Sequence, residues 1–202
     1  MKVWILIFVC MFAMPLLVAI LYFRMRKGQI LKIKQDYVKN ARYFGRSFSA
    51  LVEKALPEMK NGMIMLSRQE KVLETDGKQE FVQPEIEDLV IARNTIFCPQ
   101  QEDLHFQKEI YSEKDALFVK ENIRLRAVYS KKRIVFGNKI RLLRWADAEY
   151  AVAVYDECDL GERVSSGEQL VIGFENVFHS LYAPVIRLGQ RPEEPDRFME
   201  ER

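Results

Sequence analysis

Tyr111-Ser112-Glu113-Lys114-Asp115-Ala116-Leu117-Phe118 is echoed 18 residues later by Tyr129-Ser130-Lys131-Lys132-Arg133-Ile134-Val135-Phe136. Four of the eight positions are identical, and two more exchange one apolar residue for another (Ala116/Ile134, Leu117/Val135). Carried further at the same step, apolar residues align in columns. Phe118, Phe136, Val154 and Ile172 form one, and Ala116, Ile134, Val152 and Leu170 a second. Phe106, Leu142, Leu160 and Phe178 form a third, in which Arg124 intrudes, and Ile110, Val128, Ala146 and Val164 a fourth. Ile186-Arg187-Leu188-Gly189 repeats Leu170-Val171-Ile172-Gly173 two residues early. Gly137, Gly173 and Gly189 each follow a column residue, where a chain that turns a corner benefits from the absence of a Cβ.

Residues two apart in a strand share a face, so paired columns describe short strands with one inward side. Three strands of about six residues with a corner after each make one triangular coil, and stacking coils about 4.8 Å apart pairs their backbones in parallel. Such columns bury a common axial core that no single coil could bury alone. Tandem helical hairpins need repeats of roughly 33 to 47 residues and do not fit. The competing reading is an antiparallel sheet with evenly spaced strands. The expected fold is mainly β: a parallel β-helix of single-coil repeats over residues 105–190, with Phe118, Phe136, Val154, Ile172, Ile134, Val152 and Leu170 in its core. The spacing alone also fits a left-handed hexapeptide helix, so handedness stays open at this point.

Upstream the texture differs. Residues 3–23 contain no charged side chain; as a helix they would span roughly 31 Å, the thickness of a bilayer core. A transmembrane anchor is expected over residues 1–24, with a cleaved signal peptide as the alternative. Arg24, Arg26 and Lys27 follow it, against Lys2 alone before it, which predicts a single-pass membrane protein with its bulk in the cytoplasm. Cys10, Cys98 and Cys158 show no metal or disulfide spacing, in keeping with a reducing compartment.

Residues 25–57 read as an amphipathic juxtamembrane helix, apolar at Ile30, Ile33, Tyr37, Ala41, Phe44, Phe48, Leu51, Val52 and Ala55 and stopped by Pro57. A coiled coil is disfavoured by Asn40, Ser47 and Lys54 in the d positions. Residues 58–104 form a strand-rich lead-in, and residues 191–202 a charged tail.

Chemistry is thinly represented. A net charge of +2 gives no field for nucleic acid. The only histidines are His105, ahead of the first clear repeat, and His179 beside Phe178. Asp147/Glu149 and Asp156/Glu157/Asp159 read as solvated corners, because adjacent strand residues face opposite ways. Phosphate-binding loops, thiol-metal spacings and nucleophile elbows are missing, so no catalytic, cofactor-binding or metal residue and no cofactor is expected.

The column repeat, the segment Arg144-Trp145-Ala146-Asp147-Ala148-Glu149 and the closing Ala183-Pro184-Val185-Ile186-Arg187-Leu188-Gly189 resemble the bactofilin-like, polymer-forming cytoskeletal proteins of bacteria, over roughly residues 105–190. The resemblance implies a right-handed β-helix that polymerises end to end without nucleotide and acts as a scaffold at the inner membrane. Self-association would use the terminal coil, Ile186 and Leu188 included, and the outward apolar strip Leu117, Val135, Ala153 and Val171, unless the upstream helix covers that strip. The expected partners are the chain itself, the lipid bilayer and an envelope or cell-shape protein. A non-polymerising membrane adaptor is the alternative, and a hexapeptide-repeat acyltransferase a more distant one.

Overall fold

The computed structural model describes residues 40–75, 81, 83–93 and 101–192, together with Trp4, Met11, residues 13–15, Leu17, Val18 and Ile20. The chain divides into two units, residues 1–35 and 36–202. In the first, the described residues are helical and exposed. Among the described residues no helix is long and apolar enough to cross a membrane, which overturns the expected anchor and, with it, the single-pass membrane placement. Arg24, Arg26 and Lys27 lie outside the described residues, as do Cys10, Cys98 and residues 193–202 of the tail.

The helix α1 (Tyr43–Ala55) follows a turn at residues 41–42 and ends before Pro57; residues 25–39 of the expected helix lie outside the described residues. Its 13 residues rise only about 20 Å, too little for a hydrocarbon core, and they include Arg46, Glu53 and Lys54. Gly45, Ser49, Val52 and Ala55 form its buried face, at steps of three and four. A single 3-10 turn, Leu56–Glu58, follows, with Pro57 withholding the N–H that an α-helix would need.

The remainder is a parallel β-solenoid of about six coils. Its strands are β1 (Met63–Met65), β2 (Gln69–Glu74), β3 (Glu85–Ile86), β4 (Leu89–Ala92), β5 (His105–Ser112), β6 (Ala116–Phe118) and β7 (Arg124–Ser130). They continue as β8 (Arg133–Phe136), β9 (Arg141–Ala148), β10 (Ala151–Val154), β11 (Arg163–Ser166), β12 (Gln169–Ile172), β13 (Leu181–Tyr182) and β14 (Val185–Leu188). One sheet runs β1-β2-β4-β5-β7-β9-β11-β13, with β3 beside the start of β5; the other runs β6-β8-β10-β12-β14. Every pairing is parallel except β1 with β2. The coils begin earlier than residue 105, since β2 and β4 already stack in parallel beneath β5.

The registers follow the sequence columns. Phe118, Phe136, Val154, Ile172 and Leu188 are successive partners, and so are Ala116, Ile134, Val152, Leu170 and Ile186. All but Ile186 and Leu188 are buried in the axial core. The third column needs correction. The structure pairs Phe106 with Leu125 and Leu125 with Leu142, because register shifts after Phe106 and after Leu125 absorb the uneven spacing. Leu125 is the buried member, and Arg124 stands on the outer face. In the last coil Phe178 is half-exposed, for want of a coil above it.

Corners are repeated as faithfully as strands. Asp103, Asn122, Lys139, Glu157 and Glu175 all have positive φ, between 55° and 60°, at one corner of consecutive coils. At another corner the buried Ser112, Ser130 and Ser166 give their hydroxyl hydrogens to backbone carbonyls of the turn: Ser112 to Lys114, Ser130 also to Lys114, and Ser166 to Gln169. Gly137 is required by close approach: a Cβ there would lie 2.7 Å from the Val119 carbonyl of the coil below.

α1 packs on the outer face of the longer sheet. Val52 and Ala55 join Ile91, Tyr111, Ala127, Tyr129 and Trp145 in a second core, and Phe48 meets Trp145 edge-on at 5.7 Å. The helix therefore does not cover the strip on the other sheet. There Leu117 and Val135 are buried and Ala153 is half-buried, in a small cluster with Val119 and Tyr155, and Val171 is half-buried.

Candidate assembly surface

A solenoid coil is stabilised from both sides, and a terminal coil from one. At the N-terminal end β1 and β6 are edge strands, with β2 and β8 as their one strand partner among the described residues, but the side chains that begin the shorter sheet are covered. β1 runs antiparallel across β2, and Ala116–Phe118, the first strand of the shorter sheet, is at most 1% exposed. The C-terminal end differs. Among the described residues β13 and β14 pair only with the coil beneath them, so one row of backbone N–H and C=O groups on each has no strand partner there. Around them Val177, Phe178, Tyr182, Val185, Ile186 and Leu188 are exposed, with Leu188 at 58% and Val177 at 61%. Ile186 and Leu188 occupy the same columns that hold Leu170 and Ile172 at 0–1% exposure one coil below. The axial core thus opens to the surface at this end. Of the residues that the sequence suggested for assembly, Ile186 and Leu188 lie here; Leu117, Val135, Ala153 and Val171 lie on the side of the solenoid, and the first two are inaccessible.

Ionisable groups elsewhere are engaged in holding the fold. Asp147 is not a solvated corner: it is 1% exposed and paired with Arg42, whose Nε donates to Oδ1 at 2.8 Å. Arg42 also donates to the Ala148 carbonyl at 2.9 Å and reaches Glu149 at 3.1 Å, and the Ser165 hydroxyl donates to Asp147 at 2.7 Å. Burial pushes the Asp147 carboxyl above its usual range, and the hydrogen bonds from Arg42 and Ser165 pull back without cancelling it. Gly45 and Gly167 make room for this junction. A Cβ on either would collide, with Asp147 at 2.3 Å or with the Glu149 carbonyl at 2.0 Å. Nothing in the sequence marks Arg42, because its partner lies 105 residues away.

Tyr111 stacks on Tyr129 at 5.7 Å, one identical pair of the repeat. Lys131 lies over the Tyr111 ring and bridges to Glu53 at 2.9 Å, and the Tyr129 hydroxyl donates to Glu149 at 3.0 Å. Asp156 accepts from the Phe174 amide at 2.8 Å and pairs with Arg191, which hold its carboxylate below the usual range against a small burial effect. Asp159 accepts from the Gly161 amide at 3.2 Å, and Glu157 belongs to the positive-φ corner.

Cys158 is buried. Removal from water pushes its thiol up to about 12, and it donates to the Gly137 carbonyl. His105 stands 4.0 Å from Glu85. His179 is exposed beside the last coil, four coil steps from His105 through Arg124, Arg141, Asp159 and Val177. The two histidines do not form a pair. Among the described residues, no three His, Cys, Asp or Glu side chains gather to hold a metal. No protein-family model, curated protein or solved structure matches the chain.

Proposed function

We propose that this chain is a scaffold protein that joins a second copy of itself through the open C-terminal coil of its β-solenoid. The observation that carries the reading is the contrast between the two ends of the shorter sheet: its first strand, Ala116–Phe118, is at most 1% exposed, whereas its last, Val185–Leu188, is exposed along its whole length and ringed by further exposed apolar side chains. A strand edge is matched best by another strand, and the apolar columns at this end continue best into an identical coil. The resemblance of residues 105–190 to bactofilin-like polymers, drawn from the column repeat and the closing segment, points the same way.

Magnitudes bound the strength of the joint. Completing the burial of a half-exposed Leu, Ile or Phe contributes on the order of 1 kcal/mol. Six such side chains therefore supply about 6 kcal/mol, against an association cost of roughly 4–15 kcal/mol. Backbone pairing must provide the rest, so the joint forms in proportion to protein concentration.

The test is analytical ultracentrifugation of the full chain beside Leu188→Lys, with circular dichroism of both. Expected is a mass that rises with concentration for the parent, and a monomer of unchanged melting for the variant, whose ammonium would be buried in the joint. A parent that stays monomeric at all concentrations overturns self-association and leaves the coil as a docking edge for another protein's strand. Assembly that survives Leu188→Lys overturns the choice of surface. Assembly that appears only when residues 193–202 are deleted makes that tail the occupant of the edge, and also overturns the proposal for the intact chain.

A further inference from the structure

Parallel pairing stacks one outward residue from each coil into a ladder, and on the side that opens each coil this ladder reads Glu85, His105, Arg124, Arg141, Asp159. Its centre is two arginines that are direct partners on neighbouring strands, about 4.8 Å apart at the backbone. Like charges in that relation destabilise a sheet. Nearby cations are neutralised: Arg126 by Glu109 at 3.2 Å, Lys139 by Glu121 at 2.9 Å, and Lys108 by Glu70. Arg124 and Arg141 have no carboxylate within 4.0 Å among the described residues, although Asp159 is the next rung. The Asp159 carboxylate is turned to the Gly161 amide instead.

Both arginines are exposed, and they form the shared wall of two grooves. One groove, of about 440 Å³, runs over Gln107 and the exposed Leu143; the other, of about 480 Å³, runs over Asn122 and Lys139. His105 lines both.

We infer that the Arg124–Arg141 pair is a binding site for a compact tetrahedral oxyanion, a phosphate or the phosphate of a monoester. Two guanidinium forks on adjacent rungs present parallel N–H donors to one such group, each able to donate two hydrogen bonds. The ligand neutralises a repulsion that the fold leaves uncompensated. The ladder also limits its size. Glu85 and Asp159 flank the basic rungs on either side and Asp103 lines the second groove, so an extended polyanion laid along the coils would meet carboxylates within two rungs. The site lies on the flank of the solenoid, so its existence is independent of assembly through the terminal coil.

The experiment titrates the full chain with inorganic phosphate and, separately, with phenyl phosphate, by calorimetry and thermal melting at fixed ionic strength. Arg124→Gln, Arg141→Gln and a control at an exposed cation away from both the ladder and the terminal coil, Lys132→Gln, are compared. Expected is binding that falls at least tenfold in either ladder variant and is unchanged in the control. Without phosphate, the ladder variants should melt no lower than the parent, because each removes a like-charge contact. Tighter binding of phenyl phosphate assigns the site to a monoester that uses the apolar Leu143 side, and tighter binding of inorganic phosphate assigns it to the free ion. The inference is overturned if phosphate raises the melting point no more than chloride does. It is equally overturned if Lys132→Gln weakens binding as much as the ladder variants, or if those variants melt lower without ligand, which would make the pair structural.

Discussion

Truncating two residues of a single column, Phe136→Ala and Leu188→Ala, separates the core of the solenoid from its end. Phe136 is fully buried, with the Phe118 ring 5.9 Å below it and Val154 as its partner in the coil above. Removing a ring held on both sides costs the transfer energy of the lost atoms plus that of the cavity, about 3–5 kcal/mol. Leu188 is the third partner above Phe136 along the same column, but it is 58% exposed. A fully buried leucine is worth about 1.5–3 kcal/mol, and less than half of this one is buried, so Leu188→Ala should cost about 1 kcal/mol in a monomer. The assay is urea denaturation monitored by circular dichroism, at protein concentrations low enough to keep the chain monomeric and again at high ones. At low concentration the two costs should differ by at least 2 kcal/mol. As concentration rises, the Leu188→Ala cost should grow, because the parent gains a contact that the variant lacks. Equal costs at every concentration would refute the open end, and a Phe136→Ala cost below about 1 kcal/mol would refute the stacked core itself.

Two further outcomes follow from the ionisable groups. Arg42→Met removes one member of a buried pair and leaves Asp147 charged and 1% exposed, so it should destabilise the fold by about 3–5 kcal/mol in the same denaturation assay. Arg42→Met combined with Asp147→Leu should recover most of that loss, since an apolar pair leaves no charge without a partner. The thiol of Cys158 and the hydroxyl of Tyr111 are both pushed up to about 12 by burial, and burial also raises Tyr129. A raised folded-state value means that stability is complete below the unfolded value and is lost as pH climbs toward the folded one. Melting temperature should therefore hold to about pH 8.5 and fall steadily from there to pH 12, with a shallower fall in Cys158→Ala and a native thiol inert to iodoacetamide at neutral pH.

The axial core was legible in the sequence because a solenoid writes its tertiary contacts as a fixed offset. Phe118 and Phe136 are neighbours in space for the same reason that they are 18 residues apart. Where the offset varies, reading by a constant step fails: the 19-residue interval from Phe106 to Leu125 put Arg124 into a core column that it does not occupy. The lead-in was read as strand-rich, but the stacking of β2 and β4 into the solenoid escaped for the same reason, since they are spaced unlike the later coils. Reading charge as solvent failed at Asp147, whose burial depends on Arg42 from a distant segment, and no local pattern encodes such a pair. The apolar run at the N-terminus was given a span by composition alone, a signal that reports what a segment could do in lipid. Among the described residues the helices meet no such requirement. Of the residues proposed for assembly, Ile186 and Leu188 stand in the register that the column pattern gave them, exposed on the last coil. The side strip was misjudged because outward-facing and exposed are different properties, and Leu117 and Val135 are only the first.

The corner of positive φ has a consequence for how this protein could be altered. Lys139, Glu157 and Glu175 hold a left-handed backbone at φ of 58°, 60° and 55° while carrying side chains that do not favour it. Glycine or asparagine adopts that conformation at less cost, and Asn122 already does so one coil away. Each of the three is therefore a position where the native state tolerates strain without using it for packing. The coils hold a reserve of stability, roughly 1 kcal/mol at a corner, which could be released one coil at a time. A solenoid edited in this way could carry harsher changes elsewhere, such as a new binding loop or a redesigned end, and still keep its register.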